Sequence, residues 1–159
     1  MTFQELQNRI GTQTETDWHQ HSNGGGWVRK DATVDESAFV GECAVVFSGR
    51  VFGNAQVSGN AQVSGNAWVS GNAQVFSNAQ VFGNAWVFGD AWERSPLFIV
   101  GSRHSLTNAK YGHIQIGCHC KEIDWWLENY KAIGQKEGYA EAEIVEYGAY
   151  IELFKKVGK

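Results

Sequence analysis

The side chains suited to nucleophilic attack are the thiols of Cys118 and Cys120, which flank His119. A helix that begins near residue 121 would place both thiols at its N-terminus, where the helix dipole lowers a thiol pKa. No general base is evidently paired with either thiol in the sequence, although such a pairing is a usual way to activate a nucleophilic cysteine. We therefore interpret both cysteines as free thiols that pack or face solvent.

The same segment offers soft metal ligands, because His113 lies close to the Cys-His-Cys sequence at 118–120. That close spacing matches neither a zinc finger nor a zinc knuckle. His19 and His21 lie two residues apart in a polar segment, which is typical of solvated histidines. We predict no metal site and no cofactor.

Basic and aromatic side chains cluster along the sequence near residue 92. A guanidinium group holds phosphate in bidentate fashion, and an indole face stacks on a base. The cluster predicts a site for a small anionic, nucleotide-like ligand. The alternative is that the arginines pair with acids such as Asp90 and Glu93, and that the tryptophans fill an end of the fold or an interface. The predicted ligand-binding residues are Trp86, Trp92, Arg94, Arg103, His104 and Lys110.

The overall charge excludes some partners. The 159 residues carry a formal net charge of -4, so general binding to nucleic acid or to an anionic membrane is not expected. No basic leader and no run of about 18 apolar residues is present, and the odd count of 3 cysteines indicates a reducing compartment. We expect a soluble, cytoplasmic protein.

The elements that must position these side chains follow a six-residue repeat, V-[SF]-G-N-A-[QW]. Valines recur at 51, 57, 63, 69, 75, 81 and 87, and alanines at 55, 61, 67, 73, 79, 85 and 91. A degenerate phase from Val28 joins this one through a step that is one residue short near Gly49. Ala-Gln-Val alternates as a strand does, and Gly-Asn marks a turn. Such short strands must stack as a solenoid.

The repeat resembles the hexapeptide repeat of left-handed parallel β-helices over residues 28–92. The resemblance implies three units per coil, so residues 18 apart would lie in columns: Trp68 with Trp86, Gln56 and Gln74 with Trp92, and the asparagines in corner ladders. From Val51 to Gly89 no residue is charged, and phenylalanines follow the valines at 52, 76, 82 and 88. Such an apolar exterior needs a cover, and the resemblance implies a homotrimer.

Hexapeptide-repeat folds are best known as acyltransferases, in which a histidine on a loop between coils activates the acceptor. The coils from Val51 to Trp92 contain neither a histidine nor an insertion. The catalytic residue of that family therefore has no matching position, and His104 is the one substitute base. We predict no catalysis, with an acyl-coenzyme A-dependent acyltransferase as the alternative.

The chain ends differ from the repeat. The N-terminal segment contains a short predicted helix with Phe3, Leu6 and Ile10 on one stripe. After Trp92 the pattern predicts strands at Leu97–Val100 and His113–Ile116, then helices at Lys121–Ile133 and Tyr139–Val157. This tail, with its "IGC" sequence, and the "GGGWV" sequence at 24–28 resemble parts of uncharacterised bacteriophage and prophage proteins.

Together these patterns predict a mainly β protein with three regions. An N-terminal segment spans residues 1–27, a left-handed parallel β-helix spans 28–92, and a small α+β cap or oligomerisation region spans 93–159. The predicted function is that of a phage-type trimeric binding protein, in the host cytoplasm if phage-encoded, which sequesters a nucleotide-like ligand or a host protein in counter-defence. A structural scaffold or virion component is a further alternative.

Overall fold

A computed structural model describes residues 1–93 and 95–158. The chain is mainly β, with a parallel β-solenoid of about four turns and helices near its C-terminus. It divides into two compact units, the first formed by Met1–Asn84 with Phe88–Ser95 and the second by Ala85–Val87 with Pro96–Lys159. None of the helices in the described ranges has the length and apolar character needed to cross a membrane.

The solenoid is built from strands of two or three residues in three sheets. One sheet has the order β1-β2-β5-β8-β11, the second β13-β10-β7-β4 and the third β12-β9-β6-β3. The strand bounds are β1 Trp18–Gln20, β2 Trp27–Arg29, β3 Ala32–Val34, β4 Phe39–Val40, β5 Val45–Val46, β6 Gly49–Val51, β7 Gln56–Val57, β8 Gln62–Val63, β9 Trp68–Ser70, β10 Gln74–Val75, β11 Gln80–Val81, β12 Trp86–Phe88 and β13 Ala91–Trp92.

The strand register follows the repeat, including its short step. Val28 lies beside Val46, and Val51 beside Val69, so these partners are 18 positions apart. Partners that span the segment between Val46 and Val51 are only 17 apart, as for Val46 and Val63. The one-residue slip near Gly49 is therefore absorbed between β5 and β6 without displacing the valines from their column.

The interior of the solenoid is formed by the repeated valines and alanines, which are buried from Val51 to Val87. Burial of each valine contributes about 1.5–3 kcal/mol. The asparagines form exposed ladders, with amide-to-amide distances of 3.5 Å for Asn54–Asn72, 3.3 Å for Asn60–Asn78 and 3.4 Å for Asn66–Asn84. These long, solvated bonds align successive turns and add little stability individually.

The prediction that Trp92 lies in an outward column with Gln56 and Gln74 is wrong. Gln74 pairs with Ala91, and Trp92 lies beside Val75. Trp92 follows Val87 by five positions and not by six, so the indole occupies the inward position that valine holds elsewhere. Its side chain is 1% exposed, and it therefore packs in the core instead of offering a stacking face.

The N-terminal segment forms the helix α1, Phe3–Ile10, which begins with a capping box between Thr2 and Glu5. Leu6 is fully buried in a cluster with Trp18, Trp27 and Val45. The Trp27 indole also donates a hydrogen bond to the Met1 carbonyl at 3.0 Å. The apolar stripe of α1 thus packs against residues of the first sheet.

Two interactions at the ends of α1 reinforce this packing. The Arg9 guanidinium donates hydrogen bonds to the carbonyls of Cys43 and Asn60. The Met1 amino group lies 2.6 Å from the Glu42 carboxylate. The helix is thereby tied to main chain on two successive turns of the solenoid.

The second unit contains an antiparallel sheet and two helices. Its sheet has the order β14-β15-β16-β17, with strands Phe98–Val100, Ser105–Lys110, His113–Ile116 and His119–Glu122, and its helices are α2, Ile123–Lys136, and α3, Glu141–Val157. The prediction of two strands was incomplete, because β15 and β17 have no clear alternation. Trp126, Tyr147 and Phe154 join Leu106 and Ile114 in one buried cluster.

The placement of the cysteines differs from the prediction. Cys118 lies in the turn after β16, and Cys120 lies within β17, so neither is at the N-terminus of α2. Burial raises the pKa of the Cys120 thiol. Cys120 therefore lacks the activation that a helix dipole was expected to provide.

A substitution at Gly49 tests how closely successive turns of the solenoid pack. Gly49 has φ of +87°, and a Cβ there would lie 2.5 Å from the Ala67 carbonyl oxygen, whereas Gly71, at φ +65°, has no atom within 4 Å of such a Cβ. We expect Gly71→Ala to cost roughly 1–2 kcal/mol from backbone strain alone. Gly49→Ala should cost a further ~1–3 kcal/mol from overpacking. Urea unfolding of both variants measures the difference, and equal costs would contradict this packing.

Candidate functional site

A pocket of about 380 Å³ lies within the second unit, between its sheet and its two helices. Its volume falls in the range typical of small-molecule sites. Its lining is mostly aromatic and aliphatic, with a few polar side chains. The lining residues are His104, Ile116, Gly117, Cys118, His119, Trp126, Tyr130, Ile133, Gly134, Glu137, Tyr139, Ile144, Tyr147 and Ile151.

One wall of the pocket is the Trp126 ring, which is held in a fixed orientation. Its indole N–H donates to the Ile114 carbonyl at 2.9 Å, and Trp125 packs edge-on against it at a centroid distance of 5.4 Å. The His119 ring lies 6.4 Å away in a T-shaped arrangement. Because β16 and α2 together fix this indole, it presents a rigid aromatic surface.

A second wall is formed by Tyr139 and Tyr147, whose rings meet edge-on at 5.2 Å. Burial is the main cause that raises the pKa of Tyr139 to about 12, and the electrostatic effect of the neighbouring Tyr147 is the second. At neutral pH the Tyr139 hydroxyl therefore stays protonated and remains a hydrogen-bond donor. A phenol in this state does not serve as a general base.

His104 is positioned at the pocket by the turn between β14 and β15. The main-chain N–H groups of Arg103 and His104 donate to the Tyr147 hydroxyl, which in turn donates to the His104 carbonyl at 2.8 Å. A Cβ at Gly117 would lie 3.4 Å from the His104 ring. This is an ordinary van der Waals distance, so Gly117 borders the imidazole without being required for its placement, and its φ of +56° is what favours glycine there.

Arg103 lies beside this pocket and makes several structural contacts. Its guanidinium lies 4.7 Å from the centroid of the Tyr139 ring, and its Nε is 3.2 Å from a Glu143 carboxylate oxygen. One terminal nitrogen also donates to the Glu137 carbonyl at 3.2 Å. Arg103 therefore links the end of α2 to the beginning of α3 and carries positive charge next to a pocket wall.

Of the residues predicted to bind a ligand, the structure brings Arg103 and His104 together at this pocket. Lys110 ends β15, five residues beyond its first residue Ser105, which is roughly 17 Å along the strand. Trp92 is buried in the solenoid, Trp86 is an exposed residue of β12, and Arg94 lies outside the described residues. The predicted cluster is therefore not a single site within either unit.

The apolar spacing predicted the two helices, but it did not indicate that Trp126, Tyr130 and Tyr147 line a cavity. The sequence signal that could have indicated the cavity is the high density of aromatic residues at spacings of three and four along the two helices. Within residues 1–93 and 95–158, no group of three or more His, Cys, Asp or Glu side chains is arranged to hold a metal ion.

Part of the chain is similar to a known protein family. The family model described as "YdcK Beta solenoid repeat" matches residues 55–71, 61–76 and 79–95. These segments begin within the repeat region, the last one extending three residues beyond Trp92, and they support a β-solenoid repeat protein. Searches of curated proteins and of solved structures found no match.

The hydroxyl of Tyr147 is the anchor of the turn that carries Arg103 and His104. We expect Tyr147→Phe to lower the free energy of unfolding by about 1–3 kcal/mol, because it leaves two N–H groups without their acceptor. Amide exchange at residues 103 and 104 should accelerate in the same variant. Tyr130→Phe, which removes a hydroxyl from the facing helix, is the control. Unchanged exchange in Tyr147→Phe would show that another contact holds the turn.

Proposed function

We propose that this protein is a non-catalytic binding protein that holds a small, planar, ring-containing anion in the pocket of its second unit. The observation that supports this proposal is the 380 Å³ pocket with two rigid aromatic walls. Such walls favour a flat ring, since stacking of a nucleic-acid base on an aromatic side chain contributes roughly 1–3 kcal/mol and does not depend on which base is bound. A nucleotide-like molecule has the required chemistry.

The anionic substituent of the ligand is assigned to the polar part of the pocket. His104 and His119 line it, and the Arg103 guanidinium lies against Tyr139. Imidazole and guanidinium N–H groups donate to phosphate oxygens. Because Arg103 already pairs with Glu143, His104 provides the more direct contact in this proposal.

The proposal of binding without turnover is supported by the protonation states near the pocket. The Tyr139 phenol, with a pKa of about 12, remains protonated at neutral pH. Burial raises the pKa of the Cys120 thiol and disfavours its thiolate. An acyltransferase would require His104 to act as a base toward an acceptor, and this alternative is separable by experiment.

The repeat region is proposed to be a left-handed coil of three hexapeptides per turn that assembles as a homotrimer. Parallel partners 18 positions apart support the coil. The uncharged run from Val51 to Gly89, with the exposed side chains of Phe82 and Trp86, supports the assembly, because such surfaces mark interfaces. In this proposal residues 28–92 form the assembly body and residues 93–159 carry the ligand.

The biological setting is proposed from the sequence resemblance to bacteriophage and prophage proteins. In that setting the protein acts in the host cytoplasm and sequesters a nucleotide signal used in host defence. A host protein surface is the second target class that the resemblance allows. A scaffold role would need no small molecule at all.

The experiment is a thermal-shift and calorimetric titration with a panel of nucleoside monophosphates and cyclic mononucleotides, alongside coenzyme A. A binding nucleotide at 100 times its Kd should stabilise the fold by roughly 2.7 kcal/mol. Ile133→Trp, which fills the pocket, should abolish the shift, whereas Ala132→Trp on the exposed side of α2 should retain it.

The outcomes of that titration separate the candidate functions. Recovery of the nucleotide unchanged supports a binder. Binding of coenzyme A that is lost in His104→Ala, with consumption of acyl-coenzyme A, supports the acyltransferase. Absence of any shift across the panel contradicts the ligand proposal and favours a scaffold.

A further inference from the structure

The helix α3 has two apolar faces, of which the fold of the second unit covers one. Ile144, Tyr147, Ile151 and Phe154 are buried against the sheet and α2. On the opposite side Val145 is 63% exposed, Leu153 41% and Val157 62%. Helices of globular proteins normally bear polar residues on the side away from the core. The outer face of α3 therefore has the composition of a contact surface.

This outer face has a regular geometry. Val145, Ala149, Leu153 and Val157 are spaced by four and form a ridge along the helix. Ridges of this type pack into the grooves between similar ridges on another helix. The small Ala149 is the central residue of the 17-residue helix, so a second helix can approach closely at that point.

The charges of α3 favour one orientation of the second helix. Its first turn contains Glu141 and Glu143, and its last turn contains Lys155 and Lys156. Glu143 pairs with Arg103 and Lys155 with Asp124 inside the unit, which leaves Glu141 and Lys156 as the terminal charges for a neighbouring helix. An antiparallel copy of α3 would bring each acidic end beside a basic end.

We propose that the outer face of α3 binds the same face of a second copy of this chain, antiparallel, about a twofold axis near Ala149. In this register Val145 contacts Leu153 of the other copy, and Glu141 lies beside Lys156 of the other copy. Residues 141 and 156 are roughly 22 Å apart along one helix at about 1.5 Å per residue, so their pairing is intermolecular.

The second copy fits this surface better than a lipid surface does. α3 carries four glutamates and two lysines, a balance that opposes binding to anionic lipid. A single helix ridge buries less than the roughly 800 Å² per partner of a standard interface. The contact is therefore weak when a single pair of α3 helices forms it. An assembly that carries several copies of α3 would bind more strongly, because its contacts form together.

Sedimentation equilibrium of the full chain over a wide concentration range tests the contact. Wild-type protein should show a species twice the mass of the one it forms at low concentration. Val145→Glu and Leu153→Glu should each raise the dissociation constant of this association at least tenfold. Val100→Glu is the control, because Val100 is 76% exposed on β14 of the same unit. Thermal melts establish that each variant is folded.

Charge exchange tests the antiparallel register. Glu141→Lys and Lys156→Glu should each weaken the doubling about two- to fivefold, since exposed ion pairs are modest and two symmetric pairs are lost. The double variant should restore wild-type association.

A single mass at all concentrations would overturn the proposal, and so would a doubling that Val145→Glu leaves intact. A double variant that associates more weakly than both single variants would overturn the antiparallel register. These outcomes are independent of the nucleotide titration, because the outer face of α3 does not line the pocket.

Discussion

The solenoid depends on one constraint, the main-chain pairing of two- and three-residue strands with partners one turn away. No such strand is stable alone, so each turn is held by hydrogen bonds to its neighbours and by valines in the shared interior. Where the sequence is one residue short, between Val46 and Val51, the partner offset falls from 18 to 17 and the valines stay aligned. The interior column, and not a constant loop length, is what the fold preserves.

This constraint explains which features of the solenoid the sequence predicted. The strands and the asparagine ladders follow from strict periodicity, the slip is visible as a break in it, and the structure contains all three. Trp92 was misplaced because its position was assigned by counting 18 residues from Gln74. The step from Val87 to Trp92 is again five positions, so Trp92 lies in the interior column beside Val75 and its indole points inward. A periodic pattern therefore predicts residue environments well until the count changes at an end.

The second unit was harder to predict, because its elements do not repeat. Both helices and the strand His113–Ile116 followed from apolar spacing, whereas β15, with its central Thr107 and Asn108, lacks alternation and was missed. The pocket was missed for another reason. Apolar spacing identifies which side chains face inward, but it does not determine whether Trp126 and Tyr139 meet or leave a cavity between them. Arg103 and His104 were predicted to bind a ligand from their chemistry, and the structure places His104 in the pocket lining with Arg103 beside it.

The separation of repeat and non-repeat regions has a physical basis. A position inside a six-residue repeat recurs on successive turns, so its side chain has copies about 4.8 Å above and below it. Such a column suits self-complementary contacts, including amide ladders and apolar packing, but a column of like charges would repel. A unique binding site needs residues that occur once. All five histidines lie outside residues 28–92, and the pocket and the two-faced α3 lie in the unit where the sequence does not repeat.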